Sequence, residues 1–324
     1  MQHPNIAGRI TLSLVLALGL AGPASAAWPE KPVRFIVPFA TGGGTDLQGR
    51  LLAERLRQSL GQPVLVENRP GAGGLIGAEF VAKAPADGYT VLMTTASVAL
   101  NVTLQKKAMR FDLLKDFDPV TWVASSPLVL AVHPSVPARS VKELLALVKK
   151  SPQGLNIGAN GAGTTSHISA EMFKQYTKTG SEVIQYKGGG PSAVGLAIGE
   201  VDMVINTPTS FMPHIKANRV RPLAVTTEKP SSWNPDLPPM NQFFPGFVTD
   251  QWYIVLVPAK TPAVVATTLN AHIKKALEGK EVVDFYRREV LDPVASTPAE
   301  LTALLKREVA KYADVITKAG IPTN

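Results

Sequence analysis

Four polar, glycine-rich turns carry the chemistry legible in this 324-residue chain: "PFATGGGTD" (Pro38–Asp46), "NRPGAGGLIG" (Asn68–Gly77), "ANGAGTTSH" (Ala159–His167) and "YKGGGPSA" (Tyr186–Ala193). Each follows an apolar, β-favouring run and precedes a helical pattern. Glycine lets the main chain approach a ligand closely and leaves its N–H groups bare. The first N–H groups of a helix have no intrahelical partner and stand at the positive end of its dipole. Such a turn suits a carboxylate or a phosphate. Glycine in one turn can serve geometry alone, and the second turn, Asn68–Gly77, reads as mainly structural. Four in one chain predict that at least two touch ligand.

Other chemistries find no matching pattern. There is no G-x-x-x-x-G-K-[ST] loop for nucleotide triphosphates. Gly188-x-Gly190-x-x-Ala193 fits the loose dinucleotide fingerprint, but Pro191 interrupts it and Glu200 and Asp202 come too soon for the ribose position. No G-x-S-x-G nucleophile elbow occurs. Ser166 and His167 are adjacent, so their side chains diverge. His133, His167, His214 and His272 show no zinc-ligand spacing. With no cysteine, a disulfide framework, a thiol nucleophile and Cys-based zinc are excluded. No catalytic residue, cofactor or metal is expected. Of the acids beside the turns, Asp46 reads as a helix cap, and Asp202 as either a hydrogen-bond acceptor before a strand or a ligand contact.

The elements that must position these turns alternate between strand and helix, which predicts an α/β architecture. Strands are expected at Val33–Val37, Val64–Glu67, Thr90–Thr94, Leu128–His133, Asn156–Ala159, Val183–Tyr186, Met203–Ile205, Pro222–Thr226 and Trp252–Val257. Helix starts are marked by capping boxes at Ser140–Glu143 and Thr297–Glu300. The helix after Asp46 carries Leu47, Leu51, Leu52 and Leu56 and stops at Gly61. The proline-rich stretch Lys229–Phe247 predicts an irregular surface excursion. The C-terminal segment is too short for a domain and is expected to return to the first one. The organisation is then a first lobe at 27–126 plus 256–324 and a second at 127–255, hinged near Pro127–His133 and Tyr253–Pro258.

"MQHPNIAGRITLSLVLALGLAGPASA" has Arg9, an apolar run from Ile10 to Gly22 and an Ala24-Ser25-Ala26 cleavage pattern, as a secretory signal peptide does over residues 1–26. The run is shorter than the roughly 20 residues a membrane-spanning helix needs. No cysteine follows it, so a lipoprotein anchor is excluded, and the mature chain is expected to be soluble. The net charge of +8 has no lysine or arginine cluster behind it, so it reads as a solvated surface and not as a nucleic-acid site.

"PVRFIVPFATGGGTDLQGRLLAERL", "VENRPGAGGLIGAEFVAKAPADGYTVL", "YKGGGPSAVGLAIGEVDMVI" and "WYIVLVPAKTP" together resemble the Bug family, the periplasmic solute-binding receptors of tripartite tricarboxylate transporters. The likeness runs from about Trp28 to the C-terminus. It implies a two-lobed fold of the type II periplasmic binding protein kind, closing over a small organic acid such as a di- or tricarboxylate or an aromatic carboxylate. The implied partners are that ligand and the membrane components of the transporter, with the receptor itself a monomer in the periplasm. In the family the ligand carboxylate is held by main-chain and hydroxyl groups of a glycine turn from each lobe, with ordered waters bridging to the sheets.

Carried onto this chain, the resemblance implies a first-lobe site at Phe39, Ala40, Thr41, Gly43, Gly44, Thr45 and Asp46, and a second-lobe site at Gly161, Gly163, Thr164 and Thr165. Tyr186 and Gly189 come from "YKGGGPS", Thr95 and Ser97 from "TTASV" near the rim, and Asp202 from the "G-x-V-D" block. Two places depart from the family pattern. Thr41 adds a hydroxyl and Gly44 adds slack to the first turn, and "GTTSHIS" stands where serine and leucine are more usual, so the substrate is not inherited from the family average. A secreted enzyme using the interlobe cleft would need a nucleophile, base or metal cluster. A ligand sensor for a signalling partner would reuse the receptor unchanged.

Overall fold

The computed structural model describes residues 28–323 except 232 and 319, so the expected signal segment lies outside the described residues. The chain begins with β1 (Val33–Val37), α1 (Gly44–Leu60), β2 (Val64–Asn68), α2 (Leu75–Ala82), β3 (Thr90–Thr95), α3 (Ser97–Leu104) and β4 (Phe117–Pro127). It crosses to β5 (Val129–Val132), α4 (Val141–Lys150), β6 (Asn156–Ala159), α5 (Thr165–Thr177), β7 (Glu182–Gln185), α6 (Gly189–Ala197), β8 (Met203–Asn206), α7 (Pro208–Lys216) and β9 (Arg221–Val225). It returns through β10 (Asp250–Pro258), α8 (Ala263–Leu277), α9 (Lys280–Glu289), β11 (Asp292–Pro293) and α10 (Pro298–Lys318).

These strands form two sheets, ordered β11-β4-β10-β3-β1-β2 and β7-β6-β8-β5-β9. In the first, β1 pairs in parallel with β2 and β3, and β10 runs antiparallel between β3 and β4. In the second, β6 pairs in parallel with β7 and β8, and β5 runs antiparallel between β8 and β9. Both lobes therefore wind the same β-α-β-α-β unit, with the first strand between the second and third and an antiparallel strand beside the third. Parallel strands covered on both faces read as apolar runs without alternation, as "VRFIV" does. Phe35 and Val37 face α1 and α8 with Leu52, Leu56, Leu269 and Ile273, while Ile36 faces the layer of α3 and α10 with Leu100, Leu304 and Leu305. Each such side chain contributes roughly 1.5–3 kcal/mol when buried.

The capping boxes form as the sequence predicts. Ser140 Oγ accepts from Glu143 N at 3.2 Å and Thr297 Oγ1 from Glu300 N at 3.3 Å. The C-terminal segment returns to the first sheet, where β11 pairs with β4.

Two boundaries differ from expectation. The strand β4 is missing from the sequence reading, because Pro119 inside "FDPVTWVASSP" argues against a strand. The sheet accommodates it with register shifts in β10 between Tyr253 and Ile254 and between Val255 and Leu256, the latter paired with Pro119. The second crossing comes before β10, not within it. Asp250 already pairs with Pro127, so residues 250–255, expected in the second lobe, belong to the first sheet. Lys311 of α10 fixes that start, donating to Asp250 Oδ1 at 3.3 Å and to Glu308 Oε2 at 3.2 Å. The crossings between the sheets are thus Leu128 on one side and the Thr226–Thr249 ends on the other, with Thr226 N donating to Leu128 O at 2.9 Å and Thr249 N to Thr226 O at 3.0 Å.

Candidate functional site

A cavity of about 550 Å³ lies between the lobes, at the carboxyl ends of the parallel strands. Five helices begin at its wall: α1 at Gly43–Thr45, α3 at Ser97, α5 at Thr164 and Thr165, α6 at Gly188–Pro191, and α7 at Thr207 and Ser210. Each presents N–H groups that no intrahelical carbonyl can satisfy, at the positive end of a helix dipole. Among the described residues of the wall there is no aspartate or glutamate, and Lys187 is the one lysine or arginine. The wall is built to attract an anion.

The first-lobe turn is braced from behind. The cap of α1 is Gly43, whose φ is −77°, and no side chain caps it. The left-handed backbone of this turn falls on Gly42, at φ +81°. Gly44 opens the helix, and a Cβ there would lie 3.3 Å from the Tyr253 hydroxyl. Asp46 is not the cap and does not line the cavity. It is 1% exposed, and its Oδ2 accepts from Gly42 N at 2.9 Å and Arg50 Nε at 3.0 Å. Its Oδ1 accepts from Asn68 Nδ2 at 2.9 Å, and the same amide nitrogen donates to Phe39 O at 3.0 Å. Burial alone would raise this carboxyl, but the bonds from Arg50, Gly42 and Asn68 outweigh it and hold it below the usual aspartate range. The Thr41 hydroxyl is engaged with Asn68 Oδ1 at 3.2 Å.

The second-lobe turn is braced differently. The Thr164 hydroxyl caps α5, accepting from His167 N at 3.2 Å and donating to Gly161 O at 2.8 Å. His167 Nδ1 accepts from Gly163 N at 3.3 Å, which requires an unprotonated Nδ1. Burial pushes that imidazole below its ordinary value, against the opposing pull of Glu171, 3.8 Å away. Thr165 Oγ1 donates to Gln251 Oε1 of β10 at 2.6 Å, a bond from one lobe to the other. Deeper in the second lobe, Asn206 Oδ1 accepts from Asn160 Nδ2 and from Thr207 N, both at 2.7 Å. Ser192 Oγ donates to Asn160 Oδ1 at 2.6 Å. The buried Tyr186 phenol is pushed up to about 12 by burial and the nearby Glu200 carboxylate.

Of the residues read from sequence, Phe39, Ala40, Thr41, Gly43, Gly44, Thr45, Ser97, Gly161, Thr164, Thr165, Tyr186 and Gly189 line this cavity. Four do not. Asp46 is the brace just described. Thr95 is buried under the start of α3, its hydroxyl accepting from Ser97 N at 3.3 Å. Gly163 turns away to meet Asn101 of the first lobe. Asp202 precedes β8, at the opposite end of the strand from Asn206, and accepts there from Asn156 N at 2.8 Å.

The wall also holds residues that the sequence reading left out. Pro70–Gly74 of the second turn, read from sequence as mainly structural, also line it. Asn206 ends β8 and Thr207 and Ser210 follow it, where a Thr cap and a proline at the first helical position mark a strand-to-helix turn without glycine. Gln251 and Tyr253 arrive on β10 from a distant part of the chain, and nothing local marks them.

Comparison with known proteins agrees with this geometry. A family model described as Tripartite tricarboxylate transporter family receptor matches residues 49–321. Protein BugT of Bordetella pertussis is 36% identical over 309 residues, spanning 94% of this chain and 95% of that one. The solved structure of R. palustris Rpa4515 with adipate superimposes with a TM-score of 0.85 at 35% identity, covering 92% of this chain and 100% of the other. MatC (Rpa3494) from Rhodopseudomonas palustris with bound malate gives 0.83 at 28% identity, covering 89% and 100%. With a two-lobed fold, an anion-seeking cleft and a family match over most of its length, this chain belongs to the tripartite tricarboxylate transporter receptor family.

Proposed function

We propose that this chain is a periplasmic receptor that captures a small organic carboxylate between its lobes and delivers it, as a monomer and without transforming it, to the membrane components of a tripartite transporter. The observation that carries the reading is the wall itself: five helix starts, no carboxylate among its described residues and one lysine. In the first lobe the Gly44 and Thr45 N–H groups and the Thr45 hydroxyl are the donors assigned to one carboxylate. In the second lobe the assigned donors are the first N–H groups of α5, beside Thr164 and Thr165. Two relatives whose solved structures hold adipate and malate support the choice of a carboxylate. Export is supported by the signal pattern in residues 1–26. Among the described residues no helix is long and apolar enough to cross a membrane.

Calorimetry with adipate, malate and the corresponding diamides tests the recognition. The acids should bind and the amides should not, because an amide offers the helix starts no negative charge. Equal affinity for both would overturn the reading. Chromatography after incubation should return the ligand unchanged, whereas a product peak would point to an enzyme in the same cleft. Small-angle scattering should show a smaller radius with ligand, as hinge closure requires.

A further inference from the structure

Beside the cavity, two glycines from opposite lobes meet face to face. Gly73, at φ +63°, has room for no side chain: a Cβ there would stand 2.7 Å from Gly163 O and 2.9 Å from Ala162 O. Gly163, at φ +76°, is similarly closed, with a Cβ falling 2.5 Å from Asn101 Oδ1. Between them lies the Asn101 side chain of α3, wholly buried. Its Nδ2 donates to Gly163 O in the second lobe at 3.0 Å and to Gly73 O in the first at 3.4 Å. Both carbonyls can only accept, which fixes the amide's orientation. Its Oδ1 accepts in turn from Gln105 Nε2 at 2.9 Å. Neither Asn101, Gln105 nor Gly163 lines the cavity.

We propose that Asn101 is the positioning residue that locks the two ligand turns at their working separation, and so sets affinity without touching the ligand. This rests on the receptor reading above. The turn it holds is stiff: Gly163 N is tied to His167 Nδ1, and Thr164 N to Gly161 O at 3.3 Å. Fixing the Gly163 carbonyl therefore fixes the start of α5, where Thr164 and Thr165 face the cavity. The helix that carries Asn101 begins at Ser97, on the wall of the first lobe. The bond to Gly163 exists only while the lobes are together, so its free energy belongs to the closed state alone and shifts the open–closed balance. Asn101 and the two glycines form one device, since a side chain at either glycine would hold the lobes apart.

The test uses Asn101→Asp, which keeps the shape but presents oxygen to two carbonyls, and Gln105→Ala, which removes the support of the amide from a half-buried position. The chain has no cysteine, so Ile76→Cys and Val194→Cys, at exposed positions on α2 and α6, allow spin labels on opposite lobes. Without ligand, both variants should show a longer and broader label distance than the parent. With adipate, Asn101→Asp should weaken Kd by at least about tenfold, the loss of one buried hydrogen bond, and Gln105→Ala by less, through faster dissociation. The melting temperature of Gln105→Ala without ligand should stay near the parent's, which a merely structural role would not allow. Parent-like label distances together with a parent-like adipate Kd in both variants would overturn the proposal. If Asn101→Asp fails to fold, Gln105→Ala alone decides by the same readings. Failure of the parent to bind any carboxylate would sink the receptor reading instead, and the label distances would still decide the role of Asn101.

Discussion

The turn that opens α1 and the turn that opens α5 hold equivalent places in their lobes, yet they are supported by opposite means. The first is braced within its own lobe by a buried charge: Asp46 gathers Gly42 N, Arg50 and Asn68 behind the loop. The second is braced by neutral groups, the Thr164 hydroxyl and the His167 ring, and by Asn101 from across the cleft. The first turn is thus ready before the lobes meet, whereas the second is completed by their meeting and depends on an imidazole staying unprotonated.

The largest expected effect comes from filling the prepared turn. Gly44→Val should lower carboxylate affinity by at least about a hundredfold, because its Cβ already stands 3.3 Å from the Tyr253 hydroxyl and further methyls enter the cavity. Gly44 is a helical residue, so backbone strain adds nothing and the melting temperature should change little. Calorimetry that finds parent-like binding in Gly44→Val would remove the first turn from the site.

Next comes the charged brace. Asp46→Ala leaves Gly42 N without its acceptor and Arg50 without its partner, and should destabilise the protein by about 1–3 kcal/mol in urea titrations. Its folded pKa is depressed, so this contribution is complete above about pH 4, near the unfolded value, and is lost only as pH falls further through the folded value. A loss of a few tenths of a kcal/mol at neutral pH would mean that the first turn stands without its brace.

A smaller loss is expected in the second lobe. Thr164→Ala removes a hydroxyl cap and should cost about 1 kcal/mol, with Thr164→Ser restoring most of it. If Thr164→Ala destabilises as much as Asp46→Ala, the contrast between the lobes fails.

The smallest effect is a pH dependence between about pH 7.5 and 5, a window in which only the second turn should show one. His167 has a depressed folded pKa, so the unfolded chain binds the extra proton first. Stability contributed by the neutral ring is whole above about pH 6.5 and falls as pH drops below it. Melting curves from about pH 7.5 to 5 should slope downward in the parent and flatten in His167→Gln, whose side-chain oxygen can still accept from Gly163 N. An unchanged slope in that variant would assign the dependence elsewhere.

The glycine turns and most strands were readable because their causes are local. Apolar β-branched runs such as "VRFIV" and the Ser140 and Thr297 caps announce themselves within a few residues. What escaped depends on the rest of the chain. The long strand through Pro119 is tolerated because β10 shifts register opposite it. Gln251 and Tyr253 reach the cavity only because β10 inserts between β3 and β4, a pairing of residues far apart in sequence. The family resemblance places Asp46 and Asp202 at the ligand, while the residues alone read Asp46 as a helix cap and leave Asp202 open. Their side chains are satisfied by main-chain and amide donors, a fact of three-dimensional neighbourhood that spacing does not encode.

A single residue, Leu128, separates β4 from β5, and the chain's other passage lies hydrogen-bonded against it through Thr226 and Thr249. Two passages side by side make a spine, so the lobes turn like the covers of a book and cannot slide past each other. Travel about such a spine grows with distance from it and is widest at the far edge. On the receptor reading, a guest is gauged by how far the covers can come together, which makes its length a quantity read at the fore-edge.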